Sequence, residues 1–586
     1  MAEKKSYEKL TENLFNIATN YPKLLNDYMN KVKDNYPNYA NNNPFNLVTE
    51  FWNGIISNPE KFMKINEDWY SNHMKILNNV VNKFKGEELD DIYKAQDKDA
   101  RFQDPAWDKN VYFDYLKQTY LMTSEWMNDI INDNMPQDPK NKKKVEFYVR
   151  QITDAFSPSN FVCTNPAVLR EVIDSNADNL IEGLDKLYKD VVESKLPKIS
   201  SVDMNAFKVG ENIATTPGRI VKKTDISELI CYYPKTKEVK AEPIVIVPPC
   251  INKYYILDLQ PKNSFVNWLL EEGYQVYIVS WVNPDAKLKN TGFDDYVLDI
   301  CENILKAQEF SHSKKVSVIG YCIGGTLLAT SLAYLTANEQ SNIISSAAFL
   351  TTLIDFTDPG DLGVFIDEEQ IEAMEAKMER LGYHDASDMS MTFNLLRAND
   401  MIWSNVVNNY MLGKNPSAFD LLYWNADATR VPAAFHSFYL REMYLKNNLI
   451  KPNKIKIDNV PINILDINIP MYFMAAKEDH IVPWQSSYEI TKTHKKNIRF
   501  ILSESGHVGS VVNHPSRQKY GIYVNNKYSA NTEKWLENAE YHKKSWWTDY
   551  SEWNNKYSKT MEKALTKKYI DSNSLYNAPG IYVMEK

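Results

Sequence analysis

Two regimes of apolar spacing divide the chain. Up to about residue 200, apolar and aromatic side chains recur at helical intervals and little reads as strand. Phe51-Trp52, Phe62-Met63 and Trp69-Tyr70 follow this spacing, as do Tyr112, Tyr115, Tyr120 and Trp126. The pattern predicts a mainly helical N-terminal domain over residues 1–200, with these aromatics forming its core or facing an apolar partner. After Lys195-Leu-Pro-Lys-Ile-Ser200 the character changes. Short β-rich runs at 227–233, 243–247, 275–281, 315–321, 346–350, 471–475 and 499–502 now alternate with helical segments. Several are continuously apolar, as strands covered on both faces must be. Strands alternating with helices predict a mostly parallel α/β sheet for residues 201–586. Between about 355 and 470 the alternation lapses. Here 368–380 reads as an amphipathic helix running from acidic to basic, and 403–410 and 419–424 are rich in aromatics. An insert at this point of the sheet would form a lid.

Composition narrows the function. At 586 residues the chain exceeds one ordinary core, and its 44% apolar content is ample for packing. A net charge of -9 and a pI near 5.7 disfavour nucleic acid as a partner. Five cysteines without C-x-x-C spacing read as reduced thiols, not as a disulfide framework or a zinc site. The opening MAEKKSYEKL lacks the apolar core of a secretory signal, so a cytoplasmic protein is expected. Residues 316–338 carry no charge and are long enough to span a bilayer. Gly320, Gly324 and Gly325 interrupt that run, and Ser317, Thr326, Thr330 and Ser331 add hydroxyls, so a buried strand and helix are predicted instead of a transmembrane segment.

The sharpest chemical signal lies in that run. An apolar strand enters Gly320-Tyr-Cys-Ile-Gly324, and 327–335 then reads as helix. Such a sharp turn from strand to helix strains the central residue and needs small neighbours two positions either side, which marks Cys322 as a nucleophile. At this composition chance would produce G-x-C-x-G about 0.005 times per chain. The helix N-terminus should favour thiolate. Together these features predict the α/β-hydrolase fold with a lid insertion. The Ile323 N–H is the expected first oxyanion donor. The loop Val247-Pro-Pro-Cys-Ile-Asn-Lys253 would supply the second from Ile251 or Cys250, since prolines have no N–H. An acid and then a histidine should follow, each just past a later strand. Asp479 and His507 satisfy this order. Glu478 is the rival acid. His480, beside the acid, reads as a loop-shaping or substrate contact, and His514 follows a Val-Val-Asn run.

With these residues in place the chain resembles the class I polyhydroxyalkanoate (PHA) synthases. The likeness is carried by Pro248-Pro-Cys-Ile-Asn-Lys-Tyr-Tyr-Ile-Leu-Asp258, Ser280-Trp-Val-Asn-Pro-Asp285, Gly320-Tyr-Cys-Ile-Gly-Gly325, Glu478-Asp-His-Ile-Val-Pro-Trp484 and Ser505-Gly-His507. Asp154-Ala-Phe-Ser-Pro-Ser-Asn-Phe161 and Thr164-Asn-Pro166 extend it into the N-terminal half. The resemblance implies a triad of Cys322, Asp479 and His507. It further implies polymerisation of (R)-3-hydroxyacyl-CoA, short-chain such as 3-hydroxybutyryl-CoA, with CoA released and no cofactor. A homodimer on the surface of a cytoplasmic polymer granule is implied too, with the insert as a lid. A thiol suits this chemistry, because exchanging one thioester for another keeps the acyl group activated. The site must also exclude water, and Trp403, Trp424 and Phe435 would either line it or form the lid's core. Two other readings compete: a thioesterase or esterase on the same fold, and a catalytically silent granule scaffold.

Overall fold

The computed structural model of the chain describes residues 2–35, 59–134, 139–194, 198–494 and 497–586. Two compact units emerge. One comprises Met1–Asp203 with Thr392–Ser417, the other Met204–Met391 with Ala418–Lys586.

The first unit is helical. Pro59–Phe84 packs along Val111–Asn134, with Trp69 and Trp126 ring centroids 6.3 Å apart and Tyr115 edge-on to His73. These aromatics pack together half-buried, while Tyr70 and Tyr112 of the same pattern are exposed. Phe51-Trp52 lies outside the described residues. Charged groups between the helices are paired: the Lys117 ammonium sits 2.9 Å from Asp91, and Lys83 reaches Asp114 at 2.6 Å. Pro166–Asp174 starts cleanly because the Asn165 side chain accepts from Ala167 N and Val168 N, and Pro166 has no N–H to satisfy. Residues 392–417, expected in the lid, belong here. Tyr410 donates its hydroxyl to Asp190 at 2.7 Å, Asn409 reaches the Ser200 carbonyl at 2.6 Å, and Asn179 reaches that of Met411 at 2.6 Å. Trp403 lies in this segment, which is held to the first unit by these polar bonds and by Val407, Met411 and Leu412 packed against Val168, Val172 and Ala177.

The second unit is built on an eleven-stranded sheet. Its strands are β1 (Gly218–Lys223), β2 (Ser227–Tyr232), β3 (Ile244–Val247), β4 (Val276–Trp281), β5 (Val316–Tyr321) and β6 (Ile344–Leu350). They continue with β7 (Met471–Ala476), β8 (Ile498–Ser503), β9 (Ile522–Val524), β10 (Glu540–His542) and β11 (Tyr576–Asn577). The order across the sheet is β10-β9-β8-β7-β6-β5-β3-β4-β2-β1-β11. From β4 to β8 neighbouring strands are parallel, and the flanking pairs on both sides are antiparallel. In register, Val318 lies beside Val245 on one side and Ala347 on the other.

β2 to β7 are buried at every position, which is why their sequences are mostly apolar, β3 continuously so. The charge-free run 316–338 resolves into β5 and the helix Ile323–Ala337, which packs against Phe293–Phe310. Among the described residues no helix is long and apolar enough to cross a membrane.

What remains of the insert adds short elements to this unit. Glu368–Leu381 is capped by the Asp367 side chain and ends at Gly382, whose φ of +86° suits a residue without Cβ. Arg441 bridges to Glu375 at 2.7 Å and also contacts Glu368. Phe435 is fully buried, its ring 4.6 Å from Tyr296 and 5.4 Å from Phe293.

Candidate active site

The elbow is where the sequence places it. β5 ends at Tyr321, the helix begins at Ile323, and Cys322 between them has φ +55°, ψ -128°. That left-handed backbone is costly for any residue with a Cβ. It is held by the Cys322 N–H on the Leu350 carbonyl at 3.0 Å and by its own carbonyl, which accepts from Gly325 N at 2.9 Å. Close packing explains the glycines. A Cβ on Gly320 would stand 2.5 Å from Gly325 Cα, and one on Gly324 would stand 2.4 Å from the Val247 carbonyl and 2.5 Å from that of Pro248. The loop after β3 is therefore pressed against the first turn of the helix.

Two later strands deliver the other groups. Asp479 follows β7, and its side chain has no exposure. Its Oδ1 accepts from Ile481 N and Val482 N, each at 2.9 Å, and its Oδ2 lies 2.7 Å from His507 Nδ1. Three donors thus fix this carboxylate beside the ring. His507 opens a short helix just past β8 and stacks on Tyr321 at 5.6 Å. Burial opposes a charged imidazole here, but the Asp479 carboxylate and the Cys322 sulfur outweigh it, by charge and by hydrogen bonding, and raise the pKa to about 10. The ring is thus hydrogen-bonded to the acid and coupled by charge to the thiol. Glu478 takes another place, its N–H on the Ser505 carbonyl at 3.0 Å. The His480 carbonyl accepts from Asp361 N, and His514 caps Pro515–Arg517 through Ser516 N at 3.2 Å.

The five thiols are all free. Cys231, Cys250 and Cys301 are buried, which pushes the first and last up to about 12 and Cys250 further in the same direction. Cys322 is partly exposed. Among the described residues, neither the Ile323 N–H nor the Ile251 N–H donates to a protein acceptor.

Covering aromatics come from the insert. Tyr439 is buried and Tyr444 half-buried, with rings 5.4 Å apart, and a charge on Cys322 would raise the pKa of both. Sequence pattern did not single them out, although the aromatic spacing at 438–444 was a usable signal. Trp424 is core: its indole donates to the Lys253 carbonyl at 2.7 Å.

Comparison with known proteins agrees with this geometry. Residues 98–269 match the family model described as poly-beta-hydroxybutyrate polymerase (PhaC) N-terminus, and 243–513 match that of the alpha/beta hydrolase fold. The chain is 40% identical over 491 residues to the poly(3-hydroxyalkanoate) polymerase subunit PhaC of Rhizobium etli, covering 83% of this chain and 77% of that one. It is 38% identical over 544 residues to the same-named protein of Rhizobium meliloti, covering 92% and 87%. To that of Cupriavidus necator it is 37% identical over 461 residues, covering 78% and 77%. With an elbow thiol on an α/β-hydrolase sheet and identity of this extent over most of its length, the chain belongs to the poly(3-hydroxyalkanoate) polymerase family and is an acyltransferase.

Proposed function

We propose that the chain polymerises (R)-3-hydroxyacyl-CoA, short-chain such as 3-hydroxybutyryl-CoA, through a covalent thioester on Cys322. The observation that carries this reading is one imidazole hydrogen-bonded to a buried carboxylate and coupled by charge to the sulfur of a strained elbow. As the raised histidine pKa implies, the proton of the Cys322 thiol already rests on His507 when the sulfur bonds to the substrate's thioester carbon. The carbon–sulfur bond to CoA breaks, and the same proton leaves on the CoA thiolate. In elongation a 3-hydroxyl gives its proton to His507 as its oxygen bonds to the acyl carbon. The bond to Cys322 breaks, and the proton returns to that sulfur. Asp479 orients the ring throughout, a role that its three donors support.

The developing oxyanion is held by the Ile323 and Ile251 N–H groups, each such donor supplying about 3–4 kcal/mol. Attack on a thioester runs downhill to an oxyester, so no cofactor is needed beyond the CoA carried in by the substrate. Tyr439 and Tyr444 exclude water that would hydrolyse the acyl enzyme. Like the family it belongs to, the protein works in the cytoplasm as a homodimer on the surface of a polymer granule and keeps the growing polyester attached. The test is product analysis with 3-hydroxybutyryl-CoA. Insoluble polyester appearing with the released CoA is the expected result. Free hydroxy acid alone would make the protein a thioesterase, and no CoA release would make it a scaffold.

A further inference from the structure

The loop that brings Ile251 to the site is clamped along its length by a stretch of the insert. Asn252 bridges antiparallel to Ala428. Thr429 N donates to the Ile251 carbonyl at 3.3 Å, and its hydroxyl donates to that of Cys250 at 2.9 Å. At the end of the clamp is an ion pair buried against the chain's last residues. The Lys253 ammonium, whose side chain is 4% exposed, lies 2.9 Å from Asp427 and donates to the Glu585 carbonyl at 2.7 Å. The other Asp427 oxygen accepts from the Tyr255 hydroxyl at 2.8 Å.

A lysine so placed costs several kcal/mol to desolvate, and two apolar residues of similar volume would usually be as stable. Stability alone therefore does not account for it. What the pair does geometrically is fix the C-terminal end of the three-residue stretch that carries the Ile251 amide, holding the Lys253 side chain by charge where the Trp424 indole holds its carbonyl. An oxyanion donor must be held to within about 0.5 Å to be effective.

The geometry points to Lys253 and Asp427 as a positioning pair for catalysis: together they set the Ile251 N–H against the oxyanion, so that the insert and the oxyanion loop move as one body. The inference rests on the reading of Ile251 as second oxyanion donor. It makes Lys253 and Asp427 act through the transition state, with no part in binding CoA.

The test compares Lys253→Met, Asp427→Asn and the double variant with wild type in CoA release from 3-hydroxybutyryl-CoA, alongside thermal melting. The double variant leaves no orphan charge and keeps an acceptor for the Tyr255 hydroxyl, so it should melt close to wild type. Its kcat should nonetheless fall about 10–100-fold with KM within about threefold, the cost expected for a displaced donor. Each single variant should fall as far as the double, because the two residues work as one unit. A folded double variant with wild-type kcat overturns the inference. So does a double variant that fails to fold, which would make the pair a stability element, or a loss confined to KM, which would make it a binding element. Cys322→Ala separates the two levels: if it still releases CoA, the reading of the site itself has failed, whatever Lys253 does.

Discussion

At the scale of single residues, the account turns on how Asp479 governs His507. The raised histidine pKa has a consequence for stability. Its folded value, about 10, lies above the ordinary 6.5, so the folded state binds the proton more tightly than the unfolded chain does. That contribution is complete below about pH 6.5 and disappears as pH rises through about 10. Asp479→Asn removes the carboxylate responsible. Urea midpoints measured from pH 6 to pH 10 should show the largest gap between wild type and Asp479→Asn at pH 6 and a narrowing gap toward pH 10. A gap that stays constant or widens would mean that the imidazole is neutral in the folded protein. The same substitution should lower kcat for CoA release by about 10²–10⁴-fold, since an amide can hold the ring in the wrong tautomer. A loss under tenfold would deny Asp479 the orienting role.

These three residues were legible in the sequence because strand-end chemistry follows chain order. G-x-C-x-G marks the elbow, and an acid and a histidine each stand one loop past an apolar strand. Lys253 and Asp427 were not legible as partners. Only the folded loop brings them within 2.9 Å, and neither sits in a pattern that names the other.

At the scale of elements, burial decided what could be read. The seven strands expected from apolar runs all appear, because each contributes to the covered middle of the sheet. β1, β9, β10 and β11 escaped notice: they pair antiparallel toward the sheet's edges, where β9 to β11 are only two or three residues long and β1 mixes charged with apolar residues. Residues 392–417 misled for a different reason. Their aromatics look like lid core, but Asn409 and Tyr410 are held by polar bonds that no periodicity announces.

The elbow itself offers a test at this scale. Gly324→Ala would set a Cβ 2.4 Å from a backbone carbonyl that cannot swing aside. The helix or the oxyanion loop must shift, at a cost of about 1–3 kcal/mol as for other overpacked sites. Denaturant unfolding should register that loss, and CoA release should fall at least about tenfold because the loop carrying Ile251 is displaced. Unchanged stability together with unchanged turnover would show that the elbow and the loop are not in rigid contact.

At the scale of the whole molecule, an acidic chain with a helical unit and an α/β-hydrolase unit fits a polymerase far better than a nucleic-acid or metal protein. Family membership fixes the acyltransferase class, while the site explains why a thiol serves it. Serine at position 322 would put the acyl group into an oxyester at once and leave no driving force for the next transfer. Cys322→Ser should therefore lower polymer yield by at least about 10²-fold, even where a first acylation still occurs. Steady polymer accumulation by that variant would show that thioester activation is dispensable.

The most direct measurement is intact-protein and peptide mass spectrometry after a brief quench of the reaction with 3-hydroxybutyryl-CoA. The account predicts a hydroxybutyryl or oligomeric adduct on the peptide containing Cys322, formed together with CoA release and absent from Cys322→Ala. An adduct on any other residue, or undiminished CoA release by Cys322→Ala, would contradict it.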